Sequence, residues 1–313
     1  MNKQKFAWVD VAKASKFTFA ISAAIIIISL ICSFIFGVKL DIQFTGGTIL
    51  SYSYTGEIDT NAIKADIDSV LSTDSTVTIG SAIGNEVIEN ISVSIDAKDG
   101  LSAEDQSSVT STLQKNYPDN KIELLESTNV AATEGKSFFI KCLAAVVLAS
   151  ILLIIYIGVR FKKIGGISAG VCGIIALLHD VFMIFALMIF TGLKIDSNFM
   201  AAVLIILGYS INDTIIIYDR IRENRGIYGD KFDNTELVNI SVRQTLGRTI
   251  NTSITTLCSV LVIAIVCAFY SVTSIYSLIF PLLVGMISGT YSSIFIACPL
   301  WLTWKKHKPN KTK

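Results

Sequence analysis

The chain has 313 residues, of which 52% are hydrophobic and only 16% charged, with a net charge of +1 and a mean hydropathy of +0.60. Soluble globular chains carry about 25% charged residues, so this composition excludes an ordinary soluble protein. A membrane-spanning helix needs ~20 predominantly apolar residues, and six such segments can be drawn along the chain.

The first 16 residues are basic, with Lys3, Lys5, Lys13 and Lys16, and are followed by a first span over 17–38 in which no residue is charged. That run is longer than the ~7–15 apolar residues of a signal-peptide core, and no A-x-A cleavage pattern follows, so it reads as a retained anchor.

Residues 39–137 are the only soluble stretch large enough to be a domain. Between Lys39 and Lys136 it holds sixteen Asp/Glu against six Lys/Arg. So acidic a segment argues against nucleic acid or anionic lipid as its partner. "DIQFTGGTILSYSY" (41–54) is strand-like, with the "TGG" giving a bend or bulge. "DTNAIKADIDSVLS" (59–72) aligns Ile63, Ile67, Val70 and Leu71 on one helical face, with Asp59 or Thr60 as the N-cap. "TVTIGSAI" (76–83) and "ENISVSIDA" (89–97) alternate as strands about a turn at Gly84–Asn85. A second helix is capped by Ser102 and aligns Val109, Leu113 and Tyr117, and "KIELLEST" (121–128) closes as a strand. The order β-α-β-β-α-β is ferredoxin-like, a fold that hosts many functions and decides none. No carboxylate pair, histidine or nucleophile constellation stands out in this domain.

A second span covers 138–159 and a third 164–192, joined by "RFKK" (160–163). The fourth covers 197–218. A charged stretch, 219–248, reads as a loop and holds Arg220, Arg222, Arg225, Lys231, Arg243 and Arg248. From Thr249 to Trp304 fifty-six residues carry no charge. That is too long for one crossing of a ~30 Å core, so it divides into spans at 249–270 and 275–304 about Ser271–Ser274. The tail, 305–313, adds five lysines, whereas the two short loops on the other side hold only Lys194. The excess of Lys and Arg on one side places both termini in the cytoplasm and residues 39–137 outside it. All six cysteines lie in or beside the apolar spans, which excludes a disulfide framework or zinc motif in the soluble domain. No cofactor or metal motif appears.

Three polar features interrupt the spans. Asp213, preceded by Asn212, lies ~24 Å along the fourth span and shares a helical face with Ser210 and Thr214. An intramembrane carboxylate costs roughly 2.5–3.5 kcal/mol on insertion scales and marks a functional site by default. Arg248 opens the fifth span and is followed at helical spacing by Thr252, Thr255, Thr256 and Ser259, a stripe that faces protein or water rather than lipid. His179 and Asp180 sit in the middle of the third span, where His suits a proton site and an interhelical hydrogen bond is the competing role. Small residues at Gly166, Gly170 and Gly173, and at Gly285, Ser288, Gly289, Ser292 and Ser293, mark faces for close helix packing. Pro281 is expected to kink the sixth span.

"DIQFTGGT" (41–48), "ALLHDV" (176–181), "GYSINDTIIIYDRIREN" (208–224) and "QTLGRTINTSITTL" (244–257) resemble the successive motifs of the SecF family of bacterial protein-export membrane subunits. The resemblance covers nearly the whole chain. It implies a six-helix half of a resistance-nodulation-division type bundle with one extracytoplasmic ferredoxin-like α+β domain. It further implies a bacterial cell-membrane location, and SecD, the SecYEG channel, the accessory YajC and an unfolded secretory polypeptide as partners. In that family the Asp of the "ND" pair and the Arg opening the fifth span take part in proton transport, positions held here by Asp213 and Arg248. Asn212, Ser210, Thr214, His179, Asp180, Thr252, Thr255 and Thr256 are the supporting polar residues. The family often shows Leu-His-Arg-Thr where this chain has Leu246-Gly247-Arg248-Thr249.

The expected role is therefore a non-enzymatic translocase subunit coupling the proton-motive force to late steps of polypeptide export. The alternative is a half-transporter of the same superfamily exporting a small solute or drug. A scaffold that merely anchors the acidic domain would tolerate Asn at position 213. "GYSIND" lacks the Gly-x-Gly-Asp of intramembrane proteases, which disfavours an enzyme.

Overall fold

The computed structural model describes residues 10–73, 75–83, 87–97, 100–270 and 275–307. The expected Gly84–Asn85 turn, the Ser271–Ser274 break, Lys3, Lys5 and the lysines beyond residue 307 lie outside the described residues.

Chain order is α1 (Val11–Phe36), α2 (Ile42–Thr45), β1 (Gly47–Tyr54), α3 (Thr60–Leu71), β2 (Ser75–Ile83), β3 (Val87–Ile95), α4 (Ala103–Asn116) and β4 (Glu123–Val130). There follow α5 (Ala132–Arg160), α6 (Gly166–Thr191), α7 (Ser197–Tyr228), α8 (Asn234–Phe269), α9 (Tyr276–Ser292) and α10 (Cys298–His307), the last two joined by a π-helical segment, Ser293–Ala297. Among the described residues six helices are long and apolar enough to cross a membrane: α1, α5, α6, α7, α8 and the continuous run Tyr276–Lys306. α6, α7 and the last span form the buried centre, whereas α1, α5 and α8 line the outside and expose isoleucine, leucine and valine. That arrangement is the one an apolar solvent permits, since lipid solvates apolar side chains and leaves helix contact to close packing and hydrogen bonds.

The α+β domain is built as the alternating pattern requires. Its sheet has the order β2-β3-β1-β4 with antiparallel pairing at every step, the ferredoxin-like arrangement. α3 and α4 cover one face, burying Ile63, Ile67, Val109 and Leu113 against Leu50, Tyr52, Ile91 and Val93. Asp59 caps α3 through Asn61 N and Ser102 caps α4 through Asp105 N. Val70, expected on the buried face of α3, is instead 37% exposed, and Leu71 is the residue of that turn that packs on the core.

Two further expectations are corrected. The start of "DIQFTGGT" is not strand. Asp41 caps the one-turn helix α2 by accepting from Gln43 N at 3.0 Å, and β1 begins only at Gly47. The two glycines then carry φ of 89° and 151°, and a Cβ on Gly46 would lie 2.6 Å from Ala132 Cα. This close approach seats the domain on α5, where Phe44 packs on Phe138 and Phe139. A second tie runs to the α6–α7 loop, with Asp41 N donating to Ile195 O and Ile195 N to Lys39 O.

The stretch 219–248 is not a loop either. α7 continues to Tyr228, and α8 begins at Asn234 under the Asp233 cap, which accepts from Glu236 N at 2.7 Å. The charges mark where the chain leaves lipid, but Ile221, Leu237, Val238 and Val242 remain buried and keep both helices folded past the apolar runs.

Candidate functional site

Asp180 is at the centre of the bundle and fully buried. Its Oδ2 accepts from Ser210 Oγ of α7 at 2.7 Å and from Ser292 Oγ of α9 at 2.8 Å, while Oδ1 accepts from Ser288 Oγ at 2.6 Å. His179 Nδ1 lies 3.2 Å from the same Oδ1, and its Nε2 lies 2.9 Å from Ser22 Oγ of α1. Three spans therefore meet at one carboxylate, and α1 joins them through His179. Hydrogen bonds of this kind are what make a buried carboxylate tolerable. Helical spacing supplies them, because Ser288 and Ser292 are four residues apart and so share a face.

Asp213 sits one turn further along α7 than Ser210 and is 1% exposed. Its environment is the opposite of Asp180's. Oδ2 has no hydrogen-bond partner among the described residues. Arg248 acts on it electrostatically, yet the two form no direct ion pair. The neighbouring Thr214 Oγ1 instead shares a 2.8 Å bond with Ser293 Oγ, at the first residue of the π segment. π-helical turns inserted in α-helices are frequent at functional sites. An unsatisfied buried carboxylate oxygen carries a desolvation penalty, and no hydrogen bond from the described residues offsets it at Asp213 Oδ2.

The remaining sequence-selected residues separate into two sets. Ser210, Thr214, His179 and Asp180 join the buried centre. Asn212 does not: it is exposed on the outer face of α7, the face that also holds Gly208, where a side chain would meet nothing within 4 Å. Arg248 and Thr255 are exposed on α8, and Thr252 and Thr256 are half-buried. The threonine hydroxyls bond back to their own helix, Thr255 to Asn251 O and Thr256 to Thr252 O. The stripe therefore faces outward from this bundle. The inward face of α8 is Thr249, Ser253 and Val260, and Ser253 pairs with Thr290 at 2.7 Å.

Sequence reasoning picked Ser288, Ser292 and Ser293 only as small packing residues and passed over Ser22. The signal that could have found them is a hydroxyl repeat on a span with no charge of its own, facing an Asp elsewhere. The packing role is also present: a Cβ on Gly289 would lie 2.8 Å from Ser210 Cβ, so α7 and α9 touch at the residues that carry the network. α9 runs through Pro281, and the helical register changes only at Ser293–Ala297.

No group of three His, Cys, Asp or Glu side chains suited to a metal occurs among the described residues.

The family described as "Protein export membrane protein SecD/SecF, C-terminal" matches residues 109–307. The chain is 33% identical over 305 residues to protein translocase subunit SecF of Alicyclobacillus acidocaldarius, covering 96% of this chain and 94% of that one. It is 31% identical over 304 residues to protein translocase subunit SecDF of Bacillus subtilis, but spans only 39% of that longer protein. Among solved structures, SecDF of Thermus thermophilus, a translocon-associated membrane protein, superposes with a TM-score of 0.77 at 26% identity. That match covers 98% of this chain and 40% of the other.

Proposed function

Because the chain belongs to the SecD/SecF family of protein export membrane proteins, we propose that it couples proton entry at Asp213 to the outward movement of secretory polypeptides. It is a multi-pass membrane protein and a subunit of the protein-export apparatus. The finer reading is that it works with a SecD half beside the SecYEG channel, with YajC as an accessory. In this reading both termini are cytoplasmic and the α+β domain is extracytoplasmic.

The single observation that carries the coupling is Asp213 itself, buried at mid-span with one oxygen unbonded and Arg248 near but unpaired. A carboxylate keeps its charge when a guanidinium approaches and takes up a proton when it withdraws into apolar surroundings. Alternation between the two loads and releases a proton. A membrane potential of 100 mV supplies about 2.3 kcal/mol per proton, enough to bias a two-state element roughly 50-fold. The π segment, bonded to Thr214 beside Asp213, is the element whose register that charge would bias.

Orientation is supported by charge. Arg160, Lys162, Lys163, Arg222 and Arg225 lie at the end of the bundle away from the α+β domain. The SecD partnership is supported by the outward-facing polar residues of α7 and α8, which lipid would solvate poorly, and by the relatives in which SecD and SecF form one chain.

The test is export of a secretory precursor into inverted membrane vesicles with and without a proton gradient, comparing the wild type with Asp213→Asn. The substitution should abolish the gradient-dependent fraction of export while the chain stays in the membrane at normal level. Unchanged gradient-dependent export would end this reading.

A further inference from the structure

An open cleft of about 750 Å³ lies at the end of the bundle opposite the α+β domain, between the α5–α6 turn and the last turns of α7. Five cations from two separate elements face it: Arg160, Lys162 and Lys163 from the turn, Arg222 and Arg225 from α7. The carboxylate in its wall is Glu223, which Arg220 already holds at 2.6 Å. Asp219 nearby pairs with Arg222 at 2.6 Å and with Arg160 at 3.6 Å. Lys162 and Lys163 are exposed and have neither an ion pair nor a side-chain hydrogen bond among the described residues. A sixth cation, Lys305, approaches from α10 and repels Arg225.

Lys and Arg at a membrane flank are expected from orientation alone. Orientation asks only for charge on one side of the membrane and does not require a concave site. Here the cations converge on a cleft with more positive charge than its own carboxylates neutralise. The cleft also runs into exposed apolar surface: Val159 in its wall is 62% exposed, and Ile167, three residues beyond Ile164 of its wall, is 75% exposed. A cationic pocket between membrane helices with apolar surface running away from it matches a phospholipid, headgroup in the pocket and acyl chains along the helices. Guanidinium groups suit its phosphate through paired N–H donors and ammonium groups as point charges.

We propose that this cleft binds the phosphate headgroup of an anionic phospholipid, as a lipid site of the export subunit separate from Asp213. The proposal is independent of the direction in which the chain crosses the membrane and of the proton-coupling reading.

The full-length chain, purified in mild detergent, is titrated with phosphatidylglycerol, cardiolipin and phosphatidylcholine of matched acyl chains, and bound lipid is counted by native mass spectrometry. Anionic lipid should be retained in preference to phosphatidylcholine. Lys162→Gln with Lys163→Gln should weaken that retention about 30-fold, from about 1 kcal/mol per surface cation. Lys13→Gln with Lys16→Gln, at the same end of the bundle but outside the cleft, should leave retention unchanged. Both pairs change exposed side chains, and an unchanged thermal unfolding profile confirms folding. Equal retention by wild type and the cleft variant overturns the proposal, as does equal loss in the control. Displacement of the lipid by inorganic phosphate at equal concentration reassigns the cleft to a soluble anion and overturns it too. Loss of a co-purifying membrane protein in the cleft variant, with lipid retention intact, assigns the cleft to an acidic protein segment instead.

Discussion

Ser210 donates from Oγ to Asp180 at 2.7 Å and, through its own carbonyl oxygen, accepts from Ser293 Oγ at 3.1 Å. One small residue of α7 thus ties α6 to the π segment of the last span. Ser293 in turn shares a bond with Thr214, the residue after Asp213. The satisfied carboxylate is therefore linked through Ser210 and Ser293 to Thr214, the residue beside the unsatisfied one. Asp180 anchors that link at the bundle centre, and its far end at Thr214 meets the π segment of the last span.

Loss of the anchor should be felt across four helices. Asp180→Ala leaves three serine hydroxyls and His179 without their shared acceptor, and a buried donor left unsatisfied costs about 1–3 kcal/mol. Ser288→Ala removes one donor and should cost about 0.6 kcal/mol, the average for hydrogen bonds between membrane helices. Thermal unfolding in detergent measures both. Equal, small effects of the two substitutions would show that Asp180 is not the organising group.

Two glycines of the central helices make opposite predictions. Gly289→Ala places a methyl group against Ser210, and overpacking of this kind costs about 1–3 kcal/mol. It should also lengthen the Ser210–Asp180 contact. Gly208 faces open space on the outer side of α7, so Gly208→Leu should leave the isolated chain's unfolding temperature unchanged. Its effect should appear as reduced recovery of a six-helix partner from membranes. If Gly208→Leu destabilised the isolated chain as much as Gly289→Ala, the outer face would be misassigned.

The spans were legible because lipid imposes a length and a composition that few other structures share, and the order of the α+β domain was legible because its pattern alternates between periods of two and 3.6 residues. Ser102 could be read as a cap from residue type and position alone, whereas for the first helix the sequence left Asp59 and Thr60 as alternatives and the bond from Asn61 N decides for Asp59. The features that were not legible depend on which elements become neighbours. Ser288 and Ser292 look like packing residues until Asp180 is placed opposite them. The helical turn at Ile42–Thr45 is too short to show a period, and what fixes it is the Asp41 cap and the close approach of Gly46 to Ala132. The polar stripe of α8 was recognisable as a stripe, but its sequence could not say whether its neighbour belonged to this chain. The continuation of α7 and α8 beyond lipid was masked by charges that mark the membrane boundary and not the helix end.

The join between domain and bundle has a pH dependence of known sign. Burial raises the Asp41 carboxyl above its ordinary range, opposed by its bond from Gln43 N and by Lys194, and aided by Asp196. A carboxyl raised on folding binds more protons in the native state, so its contribution to stability is greatest at acid pH and declines as pH rises through the raised value. Asn caps helices as well as Asp and does not titrate. Asp41→Asn should therefore match or exceed the wild type in unfolding temperature at neutral pH, and its advantage should disappear toward acid pH. An advantage that grew on acidification would reverse the assigned sign.

The outward stripe of α8 gives the sharpest division between folding and assembly. Arg248, Thr252, Thr255 and Ser259 recur at helical spacing, and Arg248, Thr255 and Ser259 are exposed, yet they lie on a helix long and apolar enough to span the membrane. The Thr255 and Ser259 hydroxyls bond to carbonyls of the same helix, so no contact within this bundle depends on them. Replacing Thr255 and Ser259 by Leu should leave the unfolding temperature of the isolated chain within about 0.5 kcal/mol equivalent of the wild type, the usual range for exposed substitutions. Close interhelical packing in membranes relies on small and hydroxyl-bearing residues, and two leucines would hold a partner helix away. Recovery of the SecD-like partner should fall, and gradient-dependent export with it, even though Asp213 is untouched. Co-purification from native membranes reads the first effect and vesicle export the second. Intact partner recovery with both leucines in place would mean that the stripe faces lipid and that the second half docks elsewhere.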